Sequence, residues 1–119
     1  MEKFIAWVEI PAKDLKRAVK FYNSVMQADL QISDFGEEKM AGLPNGEGAI
    51  SQAPDFHPSR EGVIVSLNVK NDLEGALERI QAGGGEIITG KTKIEAEGMG
   101  YFALFLDTEG NRVGLYGDH

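Results

Sequence analysis

The stretch FIAWVEIPAKDLKRAVKFY, residues 4–22, recurs in the second half of the chain as EGVIVSLNVKNDLEGALERI, residues 61–80. In each copy, alternating apolar residues lead into an Asp-Leu pair and then into apolar residues at helical spacing. Asp14 matches Asp72 at an offset of 58, whereas the preceding strands match at 57 because the first strand–helix loop is one residue longer. The repeat predicts a duplicated half-fold with a pseudo-twofold axis.

The rest of each half predicts three further strands. In the first half these cover residues 29–35, 38–43 and 48–53, separated by turns at 36–37 and 44–47. In the second half they cover residues 86–89, 101–106 and 112–116, with a turn at 107–111. Residues 90–98 are either a loop or a weak continuation of the strand before them. The chain is therefore predicted to be an α+β protein built from two tandem βαβββ modules.

A segment without periodicity divides the two halves. Residues 54–61, PDFHPSRE, hold two of the four prolines. We expect one domain over residues 1–119, with a first module at about 3–54, a linker at 55–61 and a second module at about 62–117. A chain of 119 residues is long enough for one core and too short for two independent cores.

The first strand of each module is expected to be long. Residues 4–10 alternate so that Trp7 and Glu9 share one side, and Pro11 ends this strand because proline has no N–H for a ladder. The corresponding strand of the second module covers residues 63–69.

Local signals also set the expected helix ends. Asp14 is a suitable N-cap for the first helix. The second helix is expected to begin with a capping-box-like pair, Asn71 and Glu74. Gly83 is expected to end that helix in the left-handed conformation.

Composition limits the partners and the compartment. The net charge of −7 argues against nucleic acid and anionic membranes, which are bound through Lys and Arg, although it would attract a cationic ligand. No run approaches the ~20 apolar residues of a membrane span, and the amino-terminal residues do not resemble a signal peptide. With no cysteine, disulfides and thiolate sites are excluded. We expect a cytoplasmic protein.

Three strings carry a resemblance to a known family. They are IPAKDLKRAVKFYNSVM (10–26), VKNDLEGALERIQAGGGEI (69–87) and GMGYFALFLDTEGNRVGLY (98–116). The chain resembles the vicinal oxygen chelate superfamily, also called the glyoxalase/bleomycin-resistance/dioxygenase superfamily. The resemblance implies a curved mixed sheet, helices on its convex face and a ligand in its concave cleft. It also implies a homodimer, with the cleft completed either within the chain or by a swapped module of the partner.

The family's metal ligands come from the first and last strands of each module. The matching positions here are Trp7, Ile64 and Gly114, and the fourth lies within residues 49–51. Trp, Ile and Gly offer no side-chain donor to a divalent ion, so we expect no metal and no other cofactor. His57 in the linker could act as a ligand only if the linker folds over the cleft, and His119 is the last residue.

Polar side chains on the same faces could replace the metal as the centre of a site. Glu9 shares a face with Trp7 and could be a general acid or base, a ligand contact, or a group hydrogen-bonded within the sheet. Trp7 could stack on a planar or cationic ligand or fill the space of a metal site. Met99 lies between two glycines at the expected rim. The predicted contact set is Trp7, Glu9, Ile64, Ser66, Asn68, Met99, Tyr101, Gly114 and Tyr116.

Three functions are compatible with these observations. The first is a metal-free protein of the bleomycin-resistance type that binds a small organic molecule. The second is a lyase or isomerase related to lactoylglutathione lyase, with Glu9 as acid or base and other polar groups in place of the metal. The third is an accessory module without a site of its own. The ligand and the reaction, if there is one, are not identified by the sequence.

Overall fold

The computed structural model describes residues 3–119; the first two residues of the expected domain lie outside this range. Each half contains one helix and four strands. The first half comprises β1 (Val8–Pro11), α1 (Leu15–Met26), β2 (Ile32–Phe35), β3 (Glu38–Gly42), a 3-10 turn (Pro44–Gly46) and β4 (Gly48–Gln52). The second comprises β5 (Ser66–Lys70), α2 (Leu73–Ala82), β6 (Glu86–Lys93), β7 (Tyr101–Leu106) and β8 (Arg112–Gly117).

The two halves form two four-stranded mixed sheets with the same topology. Their strand orders are β1-β4-β3-β2 and β5-β8-β7-β6. In each sheet the first strand runs parallel to the last, and the other two pairings are antiparallel. The prediction of two tandem βαβββ modules in an α+β fold is confirmed. β1 and β5 are each one of the two edge strands of their own sheet, and β2 and β6 are the others.

One face of each sheet is covered by the helix of the same module. α1 packs against β2, β3 and β4, and α2 packs against β5, β6 and β8. The two helices also contact each other, and the guanidinium of Arg79 in α2 donates two hydrogen bonds, of 3.1 and 2.9 Å, to the carbonyl of Val25 near the end of α1. A single cluster of buried apolar side chains spans both modules. No helix in residues 3–119 is long and apolar enough to cross a membrane.

The start of α1 agrees with the sequence-based expectation. Asp14 is its N-cap, and the carboxylate accepts a hydrogen bond from the N–H of Arg17 at 3.2 Å. This bond satisfies one of the donors that a helix leaves free at its start. The buried stripe is Leu15, Ala18, Val19, Phe21, Tyr22 and Val25. Full burial of each large apolar member contributes about 1.5–3 kcal/mol.

The ends of α2 differ from the expectation. Asp72, not Asn71, is the N-cap, and no side chain caps the helix; the Asp72 carboxylate accepts instead from Arg79 at 2.7 Å. Gly83 is right-handed with φ −87°, and Gly84 takes the positive φ of +99°. The Asp72 carboxylate is thus engaged by a cation of the same helix and not by the first turn, and the left-handed residue comes one position later than predicted.

The first strand of each module is shorter at its amino end than expected. β1 begins at Val8, opposite Gly48, and β4 offers no residue before Gly48 to pair with residues 4–7. β5 begins at Ser66, opposite the glycine at 114. Pro11 is the last residue of β1 and not the residue after it. β6 continues to Lys93, with two register shifts in its pairing with β7. Of residues 90–98, the first four therefore continue the strand.

Candidate functional site

The sheet faces that the helices leave uncovered carry most of the predicted contact residues. Val8 and Ile10 belong to the core side of β1, so Glu9 between them points to the uncovered side. Likewise Leu67 packs on the core, which places Ser66 and Asn68 on the uncovered side of β5. The uncovered faces are therefore the candidate ligand-binding surfaces.

Glu9 is held by a neighbouring strand. The hydroxyl of Ser51 in β4 donates a 2.9 Å hydrogen bond to Oε1 of Glu9. The carboxylate borders a cavity of about 220 Å³ that Met40 and the linker residue Phe56 also line. Trp7 directly precedes β1 and is 49% exposed. The uncovered face of the first module thus presents a carboxylate beside apolar side chains, and the half-exposed Trp7 lies just before its edge strand.

Gly114 lies beneath two predicted contact residues. Its partner in the parallel pairing is Ser66, and a Cβ placed on Gly114 would lie 2.5 Å from Oγ of Ser66 and 3.4 Å from Cγ2 of Ile64. A side-chain ligand at position 114 would therefore collide with Ser66. Ile64 precedes β5 and is 41% exposed.

Tyr116 and Asn68 lie side by side on the same surface. The Tyr116 hydroxyl accepts a 3.0 Å hydrogen bond from the N–H of Gly100, which fixes one end of the loop that carries the half-exposed Met99. The Asn68 side chain accepts from the N–H of Lys70 at 3.0 Å. Each side chain keeps donor capacity for a ligand.

Tyr101 lies on the other face of the second sheet. It pairs with Gly117, whereas Phe102 pairs with Tyr116, and Tyr101 packs against the core with the ammonium of Lys91 4.6 Å from its ring centre. Phe102 and Leu104 are therefore the β7 side chains that share the uncovered face with Tyr116. The alternation within residues 101–106 indicates which side chains share a face. Which of the two faces is uncovered follows only from the pairing of β7 with β8.

The predicted contact residues do not gather in one cavity within residues 3–119. Glu9 borders the cavity near Phe56 and a second one at the junction of the modules. Ser66 and Asn68 border a different cavity of about 620 Å³, which runs along β1 and α1. Since Val8, Ile10 and Tyr22 also line this larger cavity, it lies on the helix-covered side of the first sheet and not over the face that carries Glu9.

The cavity at the module junction has a volume of about 250 Å³. We call it the junction cavity; it lies between β1, the linker, the segment before β5 and the start of β8. The linker brings His57 to its wall, where Glu9 and Arg112 also lie. His119 is not among the residues that line this cavity, and its ring nitrogen lies 2.7 Å from the carboxylate of the adjacent Asp118.

The residues present do not fit the metal site of the resembled family. Trp7, Ile64 and Gly114 provide no donor, and Ser66 fills the space above Gly114. Within residues 3–119, no group of three or more His, Cys, Asp or Glu side chains is arranged to hold a metal ion.

The family is shown by comparison of the sequence with family models. Residues 4–115 match the Glyoxalase/Bleomycin resistance protein/Dioxygenase superfamily. The chain belongs to this superfamily. A comparison with curated protein sequences gives no match.

Solved structures share the fold at low sequence identity. A glyoxylase/bleomycin resistance protein/dioxygenase domain from Frankia sp. EAN1pec superposes with a TM-score of 0.75 at 16% identity, covering 100% of both chains. A fosfomycin resistance protein from Listeria monocytogenes gives 0.70 at 19% identity, covering 100% of this chain and 94% of that one. An antibiotic-binding protein from Streptomyces sp. CB03234 gives 0.66 at 18% identity, with 99% and 98% covered.

Proposed function

We propose that this protein binds a small organic molecule, without a metal ion, in a cleft formed by the uncovered face of one module and that of a second copy. The observation that carries the proposal is the separation of Glu9 from Ser66 and Asn68 into different cavities. Because the cavity that Ser66 and Asn68 border lies on the helix-covered side of the first sheet, the face that carries Glu9 needs a further surface to enclose a ligand, and a second copy would supply it.

Exposed apolar residues support the second copy. Phe4, just before β1, is 93% exposed, and Val63, just before β5, is 90% exposed. These segments adjoin β1 and β5, two of the four edge strands, whose free backbone groups can pair with another chain. In a twofold dimer both copies contribute the same surface to the interface. An interface that includes these two segments would therefore cover Phe4 and Val63 of both copies.

The chemistry of the faces favours an organic ligand. Trp7 and Ile64 offer apolar surface, and Glu9, Ser66 and Tyr116 offer a few directed polar groups, which is the usual composition of a small-molecule site. The net charge of −7 favours a cationic compound over an anionic one in this cleft. A cytoplasmic location is part of the proposal, since a chain without cysteine has no disulfide to form in an oxidising compartment.

Light scattering after size exclusion tests the assembly. We expect twice the chain mass of 13.0 kDa for the wild type and a shift toward monomer for Val63→Asp. Glu37→Ala, in the exposed turn between β2 and β3, is the control and should remain dimeric. A monomeric wild type that still binds its ligand would refute a cleft completed by a second copy.

Thermal shift tests the ligand. Bleomycin (a cationic glycopeptide), S-hexylglutathione, nickel and zinc are the probes, since a ligand that binds only the folded state raises Tm by mass action. The proposal expects a shift with an organic compound that Trp7→Ala or Glu9→Ala abolishes and Glu37→Ala retains. A shift with nickel or zinc alone would contradict the metal-free site, and no shift with any probe would favour the accessory-module function.

A lyase or isomerase is the second candidate, supported by the geometry of Glu9. Because Ser51 engages Oε1, Oε2 remains available to take or give a proton. Formation of lactoylglutathione from the hemithioacetal of methylglyoxal tests this activity. Turnover that falls at least 100-fold in Glu9→Gln would support it, and turnover unchanged in that variant would exclude Glu9 as the acid or base.

A further inference from the structure

We propose that the ligand of the cleft is a cationic amine that also carries a carbonyl oxygen. The first module of one copy binds the ammonium group through Glu9, and the second module of the other copy binds the carbonyl oxygen through Tyr116 and Asn68. This inference rests on the proposed function and names the class of ligand for that same site. It follows from a difference in hydrogen-bonding character between the two uncovered faces.

The second module presents hydrogen-bond donors on its uncovered face. Asn68 and Tyr116 are partners in the parallel pairing of β5 with β8, and adjacent strands lie about 4.8 Å apart. The Tyr116 hydroxyl already accepts from the N–H of Gly100, and the Asn68 side-chain oxygen already accepts from the N–H of Lys70. The groups that remain for a ligand are the phenolic O–H and the amide NH2.

The two strands that carry these donors place no carboxylate beside them. Glu86 shares the uncovered face, but it pairs with Leu106, which lies four positions along β7 from Phe102, the partner of Tyr116. A ligand group that binds beside Tyr116 and Asn68 must therefore supply an acceptor. The residues that β5 and β8 place on this face are Ser66, Asn68, Arg112, Gly114 and Tyr116.

The uncovered face of the first module has the opposite character. Glu9 keeps one carboxylate oxygen available, because Ser51 engages only Oε1. The cavity of about 220 Å³ beside it is lined by two carboxylates, those of Glu9 and Glu38, and by the ammonium of Lys39. A ligand group that binds here is therefore a donor, and the excess of negative charge favours a cation.

The same charges select which faces meet in the dimer. Two first modules would bring the carboxylates of Glu9 and Glu38 from both copies together, and like charges that face each other across an interface cost energy. The first module of one copy therefore opposes the second module of the other. Because the donors of Tyr116 and Asn68 are uncharged and the net charge of −7 repels an anion, a neutral carbonyl is favoured over a carboxylate at their end.

Three compounds with the same aromatic ring separate the two ends of the ligand. p-(Aminomethyl)-N,N-dimethylbenzamide carries both groups, p-isopropylbenzylamine lacks the carbonyl oxygen, and N,N-dimethyl-p-toluamide lacks the amine. In isothermal titration calorimetry of the wild-type dimer, we expect the first compound to bind about tenfold tighter than either of the others. Equal affinity for either truncated compound, or no binding of the first compound at millimolar concentration, would overturn this inference.

Tyr116→Phe tests the carbonyl end of the site. The variant should bind the aminomethyl benzamide about three- to tenfold more weakly and p-isopropylbenzylamine as the wild type does. Tyr101→Phe is the matched control, since Tyr101 lies on the other face of the same sheet, and it should change neither affinity. An equal effect of Tyr116→Phe on both compounds would reduce Tyr116 to a structural role and refute the contact.

NMR reads the same contact without a substitution. The N–H of Gly100 donates to the Tyr116 hydroxyl, so its resonance should shift when that hydroxyl donates to a carbonyl oxygen. We expect a shift with the aminomethyl benzamide that exceeds the shift with p-isopropylbenzylamine. Equal shifts with the two compounds would contradict a hydrogen bond from Tyr116.

Failure of this inference is distinguishable from failure of the proposed function. Light scattering reports the dimer in the absence of any ligand. A dimer that binds p-isopropylbenzylamine as tightly as the aminomethyl benzamide would keep the cleft and refute the class of ligand. A monomeric wild type would refute the cleft itself and this inference with it.

Discussion

The hydroxyl of Tyr22 in α1 donates a 2.6 Å hydrogen bond to Oδ2 of Asp107, 85 residues away in the second module. Both residues are buried. Asp107 also accepts from the backbone N–H groups of Glu109 and Asn111, each at 2.9 Å. The turn between β7 and β8 is thereby folded around one carboxylate, and Tyr22 connects that carboxylate to the first module.

The same turn also forms hydrogen bonds with the start of α1 and the residues before it. Glu109 Oε1 accepts from the N–H groups of Lys13 and Asp14 at 2.9 and 2.8 Å, and Arg17 donates to both carboxylate oxygens at 2.7 and 3.0 Å. The Asn111 side chain donates to the carbonyl of Pro11 at 2.7 Å. These contacts fix the relative position of the modules, and so the position of the two uncovered faces.

Tyr22→Phe should destabilise the protein by about 1–3 kcal/mol. The change removes one donor from a buried carboxylate and leaves the ring packing in place. Urea unfolding followed by circular dichroism measures the loss. Tyr116→Phe is the matched control, because its hydroxyl accepts from the N–H of Gly100 in a partly buried position and should cost less. A Tyr22→Phe variant as stable as the wild type would contradict the role of this bond.

Glu109 should give the protein stability that is lost in acid. Burial raises the pKa of Glu109, but the hydrogen bonds from Arg17, Asp14 and Thr108 and the charge of Arg17 together hold the pKa below its ordinary value of 4.5. A lowered pKa in the folded state stabilises above the unfolded pKa and ceases to do so as pH falls through the folded value. We expect the free energy of unfolding to decline below about pH 4.5.

Glu109→Gln tests this expectation. The variant should be less stable at neutral pH by about 1–3 kcal/mol, and its stability should fall less steeply in acid. The comparison needs urea unfolding at several pH values between neutrality and the acid transition. If the free energy of unfolding fell equally steeply with pH in the variant and the wild type, another carboxylate would be responsible for the loss of stability in acid.

Tyr22 should resist ionisation in the folded protein. Burial raises its pKa well above the ordinary 10.0, and the neighbouring charge of Asp107 raises it further. Stability from this group is full below the unfolded pKa and falls as pH rises from there toward the folded pKa. In an absorbance titration of tyrosinate, the signal of Tyr22 should appear only on alkaline unfolding. Tyr22→Phe should remove that late step; its persistence would assign it elsewhere.

The fold was predictable because it depends on local patterns. The stripe of α1, the Asp14 cap and the repeat at an offset of 57–58 residues are properties of short segments, and they gave both modules correctly. The start of β1 was not predictable, since it is set by where β4 offers Gly48 as a partner. The face of Tyr101 depends on its pairing with Gly117, which is also a long-range property.

The candidate site was less predictable than the fold for the same reason. Alternation placed Glu9 and Ser66 on uncovered faces, but the distance between those faces depends on how the modules pack. That packing rests on contacts between residues more than 80 positions apart, such as Tyr22 with Asp107 and Arg17 with Glu109.

Gly114→Ala should destabilise the second sheet, and a change at Ser66 should relieve it. The new Cβ would lie 2.5 Å from Oγ of Ser66, so the serine side chain or the strand must shift, at a cost of about 1–3 kcal/mol. In Ser66→Ala/Gly114→Ala the hydroxyl is gone, and the nearest remaining atoms lie at 3.4 Å. Thermal unfolding of both single variants and the double variant measures the coupling. If the double variant were no more stable than Gly114→Ala, contact with the Ser66 hydroxyl would not be the source of the cost, and Ser66 would not be what excludes a side chain from the position of the family's metal ligand.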